Sequence, residues 1–333
     1  MIGVLCLACC VIYSGILGDV FTPLLTQAGL PRAWNGRRSN ILVLTTCILL
    51  PLSLIRNLSA LAFTSILGFS SVLYTVIFVV IRSLDGTYAS ETGKFVLDGM
   101  IAQPAFTRTS LWNFDFTSLV LASNLGLAYI AHYNGPTFYK TLLRTNTQRF
   151  RRMVHISFAI LVLLYSITMA AGYSTFGDVC QGNILLNYHP NDVLSTFARF
   201  ATGLSILFGY PLVATGAREA IIGACSSFGY DGIGKKENHF LLVSGLLAFV
   251  TTIACTVDDV SLVVGLTGAA LGSFIVYICP SIIYTLVVKE AKGEASTEYR
   301  KARWNLAFVP FGLGIASLGC YMTIKEAIKS SST

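Results

Sequence analysis

Two ionisable side chains lie deep inside apolar runs of this sequence, and each could do chemistry there. Asp19 sits in "YSGILGDVF", residues 13–21, with Gly15 and Gly18 beside it. His132 sits in "SNLGLAYIAHYNGPTFYK", residues 123–140, where Ser123, Tyr129, Tyr133 and Asn134 add hydrogen-bonding groups. An ionisable group at membrane depth is expensive and by default marks a function. Either residue could exchange protons in a water-accessible cavity. Each also has a structural alternative: Asp19 paired with a Tyr, an Arg or a backbone N–H, and His132 capping the cytosolic end of its helix. Acyl transfer with His132 as base would need an acid at close spacing, and "HYNGPTF" offers none. The nine cysteines show no CxxC-type spacing, so no metal site is expected.

The elements that must position these groups are membrane spans. Of 333 residues, 54% are hydrophobic and only 12% are charged, against about 25% charged in soluble domains. That leaves too little polar surface for water, so the chain reads as an all-α polytopic membrane protein. Crossing the hydrocarbon core takes about 20 apolar residues. Nine runs approach or exceed that length: 2–25, 40–55, 58–82, 117–139, 153–175, 193–217, 239–257, 260–288 and 305–324. Residues 83–116 form the one long polar loop. A signal peptide is excluded for the first run, because no charge precedes Asp19 and the run is about twice the usual length.

The net charge of +7 could suggest nucleic acid, but the basic residues fall in short clusters between apolar runs. The bilayer, not nucleic acid, is the expected partner. Fourteen of the 23 Lys and Arg residues lie in one alternating set of loops, around Arg56 and within 140–152, 218–236 and 289–303. The richer side should be cytosolic. This places the N-terminus inside, and the 83–116 loop and the C-terminus outside.

Helix-weakening residues cluster in three runs. Asn124, Gly126, Gly135 and Pro136 interrupt residues 123–140, which predicts a discontinuous helix. Irregular backbone at membrane depth survives only where it lines a cavity or is buried in protein, and secondary transporters use it to meet polar solutes. "RFATGLSILFGYPLVATGAREA", residues 199–220, carries Gly203, Gly209 and Pro211 and should kink. Arg199 and Arg218 near its ends are expected to snorkel to the two interfaces. "LVVGLTGAALGSFIVYICP", residues 262–280, has small residues at 265, 268, 269, 270 and 272, which favour close helix contact over ligand binding. Cys180 and Cys225 are expected between spans, and the other cysteines within them.

Several segments, in order, resemble the amino acid/auxin permease family, and most closely its neutral amino acid transporters of the sodium-coupled group. The first is "ILLPLSLIRNLSALAFTSILGF", residues 48–69, with its Pro-Leu-Ser-Leu-x-Arg-Asn-Leu link at Pro51 to Leu58. "YSGILGDVFTPLL" is similar to the family's third helix, "AYIAHYNGPTFYKTL" to the sixth, and "RFRRMVHISFAILVLLYSITMAAGYSTFGD" to the basic loop and seventh helix. Arg199, Pro211 and Arg218 match the Arg…Pro…Arg frame of the eighth.

The resemblance implies a five-plus-five inverted repeat in which broken first and sixth helices meet at the membrane centre. It assigns the nine runs to family helices three to eleven, so the chain is expected to be N-terminally incomplete and, alone, not to catalyse coupled uptake. It implies an amino acid substrate held by Asn124, Gly126, Tyr129 and His132, with Ser205 and Tyr210 facing them. Coupling would fall to Asp19 or His132. Sodium or protons would be the coupling ion, with no organic cofactor; protons are favoured because Leu207-Phe208-Gly209 before Pro211 lack the hydroxyls usual in sodium-coupled members. A plasma, vacuolar or lysosomal membrane fits. The alternatives are a non-transporting or regulatory relative and a polytopic membrane enzyme, the latter disfavoured by the absence of a partner acid for His132.

Overall fold

A computed structural model describes residues 1–31, 35–55, 62–89, 93–97, 118–131, 135–142 and 146–332. The described elements are helices, and no strand occurs among them. They are α1 (Ile2–Gln27), α2 (Arg37–Leu44), α3 (Leu50–Leu54), α4 (Ala62–Leu84), α5 (Lys94–Leu97), α6 (Ser118–Ala128), α7 (Gly135–Thr141) and α8 (Thr147–Phe176). Then come α9 (Val193–Ser227), α10 (His239–Thr256), α11 (Val260–Thr267), α12 (Cys279–Lys292), α13 (Thr297–Ala302) and α14 (Phe308–Ser332). Turns of π-helix join α2 to α3 and α11 to α12, and a short 3₁₀ stretch joins α13 to α14.

Seven helical stretches of the described residues are long and apolar enough to cross a membrane. The two remaining expected runs fall short for visible reasons. The run at 40–55 lies in a helical stretch that begins at Arg37 and Arg38, so its first turn is polar. The run at 117–139 is not one helix: α6 stops at Ala128 and α7 starts at Gly135. Cys225 lies inside α9, not between spans, because that helix continues to Ser227.

The chain divides into two compact units. The larger comprises residues 2–111 and 152–260. Its centre is an antiparallel pair, α1 on α9. Cys6 meets Gly216 near one end, Phe21 meets Gly203 near the other, and Thr196 donates to Gln27 at 3.1 Å. A Cβ on Gly203 would come within 2.7 Å of the Phe21 ring, so glycine sets the helix spacing. Small residues let helix backbones approach where lipid supplies no hydrophobic drive.

At one face of this unit the ends of α1, α4 and α8 gather with the start of α9. The Ser83 and Ser174 hydroxyls are 2.8 Å apart, and Arg82 reaches Asp192. Asp192 also caps α9, accepting from the Leu194 N–H at 3.0 Å, which satisfies one of the open donors of that terminus. Phe78, Tyr88, Phe95, Phe176 and Tyr188 fill the space beneath.

The smaller unit holds residues 112–151 and 261–333. In it α6 packs on the π-helical stretch after α11, and both pack on α14.

Candidate functional site

The interrupted span belongs to the smaller unit. Helix α6 closes with the Tyr129 N–H on the Leu125 carbonyl and the tighter Ile130-to-Leu127 bond. Residues 130 and 131 are not helical, and α7 resumes at Gly135-Pro136. Proline at the start of α7 fits, because its missing N–H would be unpaired there in any case. It also disfavours helix in the residue before it.

Opposite α6, the π turns Gly268–Gly272 and Phe274–Ile278 shift the hydrogen-bond ladder. Such bulges are frequent at functional sites. A Cβ on Gly268 would collide with the Ser123 carbonyl, and one on Gly272 would sit 3.5 Å from the Gly126 carbonyl carbon. The two backbones therefore touch. Beside this contact lies a cavity of about 330 Å³, lined by Gly126, Tyr129, Gly268, Gly272, Ser273 and Tyr277 among others. Its size falls within the range of small-ligand pockets. The small residues at 265–272 were expected to serve packing; they do so and also form a cavity wall. Asn124 is one turn from Ala128 but is not part of that wall, and its Oδ1 is buried without a hydrogen-bond partner among the described residues.

The other expected residues are distributed as follows. His132, with Tyr133 and Asn134, lies outside the described residues. Ser205 and Tyr210 are in the larger unit, on α9. Ser205 faces Gly68 of α4, and the Tyr210 hydroxyl, fully buried, accepts from Ser14 of α1 at 3.5 Å. Only Gly126 and Tyr129 of the six share a described cavity.

Asp19 is buried and paired. Arg37 Nε donates to its Oδ1 at 2.7 Å, and Arg37 Nη1 donates to the Ala254 and Val257 carbonyls at 3.3 and 3.0 Å. One guanidinium thus ties α1 to α2 and to the end of α10. Arg199 does not snorkel. It is 2% exposed and donates through Nη2 to the Leu185 and Tyr188 carbonyls at 2.8 and 2.6 Å. The 183–188 segment folds over the start of α9 and encloses it. Arg218 is mostly covered and bonds Glu219 at 2.9 Å.

Sequence reasoning missed the most ordered polar cluster. Arg82 Nε and Nη2 straddle the Asp192 carboxylate at 2.8 and 2.6 Å, and Nη1 reaches Asp85 at 2.6 Å. Tyr88 donates to Asp192 at 2.9 Å and accepts from the His189 N–H at 3.0 Å. Burial pushes the Tyr88 phenol up, so it stays a donor. Burial alone would raise the Asp85 carboxyl, but the Thr87 hydroxyl and amide and the Arg82 guanidinium hold it below the usual range. The available signal was Asp192 immediately before a long apolar run, a helix-start mark.

Taken together, these features define a multi-pass helical membrane protein with an interrupted apolar run beside a cavity, a feature that secondary transporters use. The family described as "Transmembrane amino acid transporter protein" matches residues 1–325, and the chain belongs to it. Among curated relatives, the rat "Putative sodium-coupled neutral amino acid transporter 11" (Rattus norvegicus) is 26% identical over 285 residues, covering 84% of this chain and 58% of the relative. Its zebrafish counterpart (Danio rerio) is 28% identical over 281 residues, covering 84% and 59%. "Vacuolar amino acid transporter 2" of Saccharomyces cerevisiae is 25% identical over 336 residues, covering 98% and 66%. The chain therefore spans about three-fifths of the length of the vertebrate relatives. These relatives are named as transporters, not enzymes.

Proposed function

We propose that this chain forms part of a secondary active transporter that moves neutral amino acids across a membrane, with the broken α6–α7 run as the substrate element. The observation that carries this reading is the end of α6 at Ala128, followed by non-helical residues 130 and 131, beside the cavity walled by Gly126, Tyr129 and two π turns. Zwitterionic α-groups need fixed partners at membrane depth, and freed backbone N–H and C=O groups supply them. The vertebrate relatives' names support a neutral amino acid substrate, and the yeast relative's name supports a vacuolar membrane as readily as a plasma membrane. In this reading the chain crosses nine times, the stretches at 37–54 and 118–141 included, as part of a five-plus-five inverted repeat working by alternating access. Asn124 and His132 are further candidate substrate contacts of that element, and Ser205 and Tyr210 are candidate contacts on α9.

Coupling is to protons more than to sodium, although the vertebrate relatives are named as sodium-coupled. Hard cations take oxygen ligands, yet Leu207-Phe208-Gly209 before Pro211 offers no hydroxyl. A proton landing on Asp19 would cancel its pairing with Arg37 and so loosen α1 from α2 and α10. Asp259 is the other charged group acting on Asp19. Vesicles containing the chain extended to the length of its relatives, assayed with labelled neutral amino acids, test this. Uptake should persist when choline replaces sodium at fixed pH and collapse when a protonophore removes the pH gradient. Uptake that follows sodium alone would overturn the coupling reading.

A further inference from the structure

We propose that Arg199 holds a small inorganic anion of the halide class at the start of α9, a site separate from the substrate element. Four buried donor atoms without a hydrogen-bond partner among the described residues fall between residues 188 and 199: Tyr188 Oη, Ser195 Oγ, and Nε and Nη1 of Arg199. Ser195 and Arg199 are four residues apart on α9 and so share a helix face, and both are buried, Ser195 completely. A guanidinium has five N–H donors, accepts nothing and stays charged. Two carbonyls occupy only its Nη2.

The nearby carboxylates are already engaged. Asp192 accepts from Arg82, Tyr88 and the Leu194 N–H, and Asp19 accepts from Arg37. No ion pair to Arg199 forms among the described residues. Asp192 acts on Arg199 electrostatically but accepts none of its N–H groups, and buried donors left without partners are costly. Ordered water would accept hydrogen bonds but would add no negative charge. A halide does both, because it accepts from several N–H and O–H donors at once.

The test uses the full chain in detergent. Its thermal unfolding is followed as potassium gluconate is exchanged for chloride or bromide at constant ionic strength. A saturable rise in Tm with both halides is expected. Ser195→Ala should weaken the halide midpoint about tenfold, in keeping with the loss of one hydrogen bond to a charged partner. Arg199→Gln should abolish the response. If that variant does not fold, ³⁵Cl line broadening on the unaltered protein, relieved by Ser195→Ala, gives the same answer. Identical unfolding in gluconate and chloride means water alone fills the site and overturns the proposal. An unaltered halide response in Arg199→Gln or Ser195→Ala overturns it too.

Discussion

The face of the larger unit around Asp192 and the α6 break of the smaller unit solve opposite problems. Around Asp192 the carboxylate is matched by donors from Arg82, Tyr88 and a helix N-terminus, and aromatic rings close over the set. Around the α6 break no ion pair occurs among the described residues. Small residues bring backbones into contact, the helical ladder is interrupted, and Asn124 Oδ1 has no partner. The matched groups on Asp192 itself fix one arrangement, while Tyr188, Ser195 and Arg199 beside them keep donors open for the anion. Unsaturated groups leave hydrogen-bonding capacity for something else. The first region is built as frame, the second as working surface.

The contrast breaks first at the frame. Arg82→Met strands Asp192, which is completely buried, and losing one partner of a buried pair costs about 3–5 kcal/mol. A marked drop in unfolding temperature and in folded yield is expected, with Arg82→Lys recovering part of it. A variant as stable as the parent would show that the cluster does not hold these helix ends.

Gly268→Val comes next. Its side chain would run into the Ser123 carbonyl, a backbone atom that cannot turn aside. Overpacking of this kind costs about 1–3 kcal/mol, and the added bulk intrudes beside the cavity. Stability should fall less than in Arg82→Met, while uptake by the chain extended to the length of its relatives is lost. Full uptake would place the substrate path elsewhere.

A smaller effect is expected at Asp85, at the rim of the frame. Its carboxyl is held below its usual pKa, so its stabilisation is present above the unfolded value near about 4 and is lost as pH falls through the folded value. Asp85→Asn should cost about 1 kcal/mol or less at neutral pH, given its partial exposure. It should also flatten the acid limb of stability against pH. An unchanged acid limb would remove Asp85 from the account.

How much of this was legible in the sequence follows the same divide. Seven of the nine expected spans were readable from hydrophobic length, and the end of α6 from the helix-weakening residues around it, because both are local properties of the chain. The partners of charged groups were not. Arg37 lies 18 residues from Asp19 and Arg82 lies 110 from Asp192, and nothing local joins either pair. Arg199 was misread for the same reason. Snorkelling treats an arginine as a helix-end residue facing lipid, whereas the 183–188 segment folds back over it. Small residues at 265–272 did announce close packing, but whether packed backbones also leave a cavity depends on the π turns, which composition does not reveal.

The most direct measurement is equilibrium binding of a labelled neutral amino acid to the purified chain and to Asn124→Leu, Tyr129→Ala and Arg82→Lys. The account predicts affinity at least about tenfold weaker in the first two, the loss of one well-made polar contact. The unfolding temperature of Asn124→Leu should stay close to the parent's, because removing an unpartnered Asn124 Oδ1 strands no other group. Arg82→Lys should lose stability and keep affinity. Affinity lost in Arg82→Lys but retained in both Asn124→Leu and Tyr129→Ala would contradict the assignment of frame and working surface.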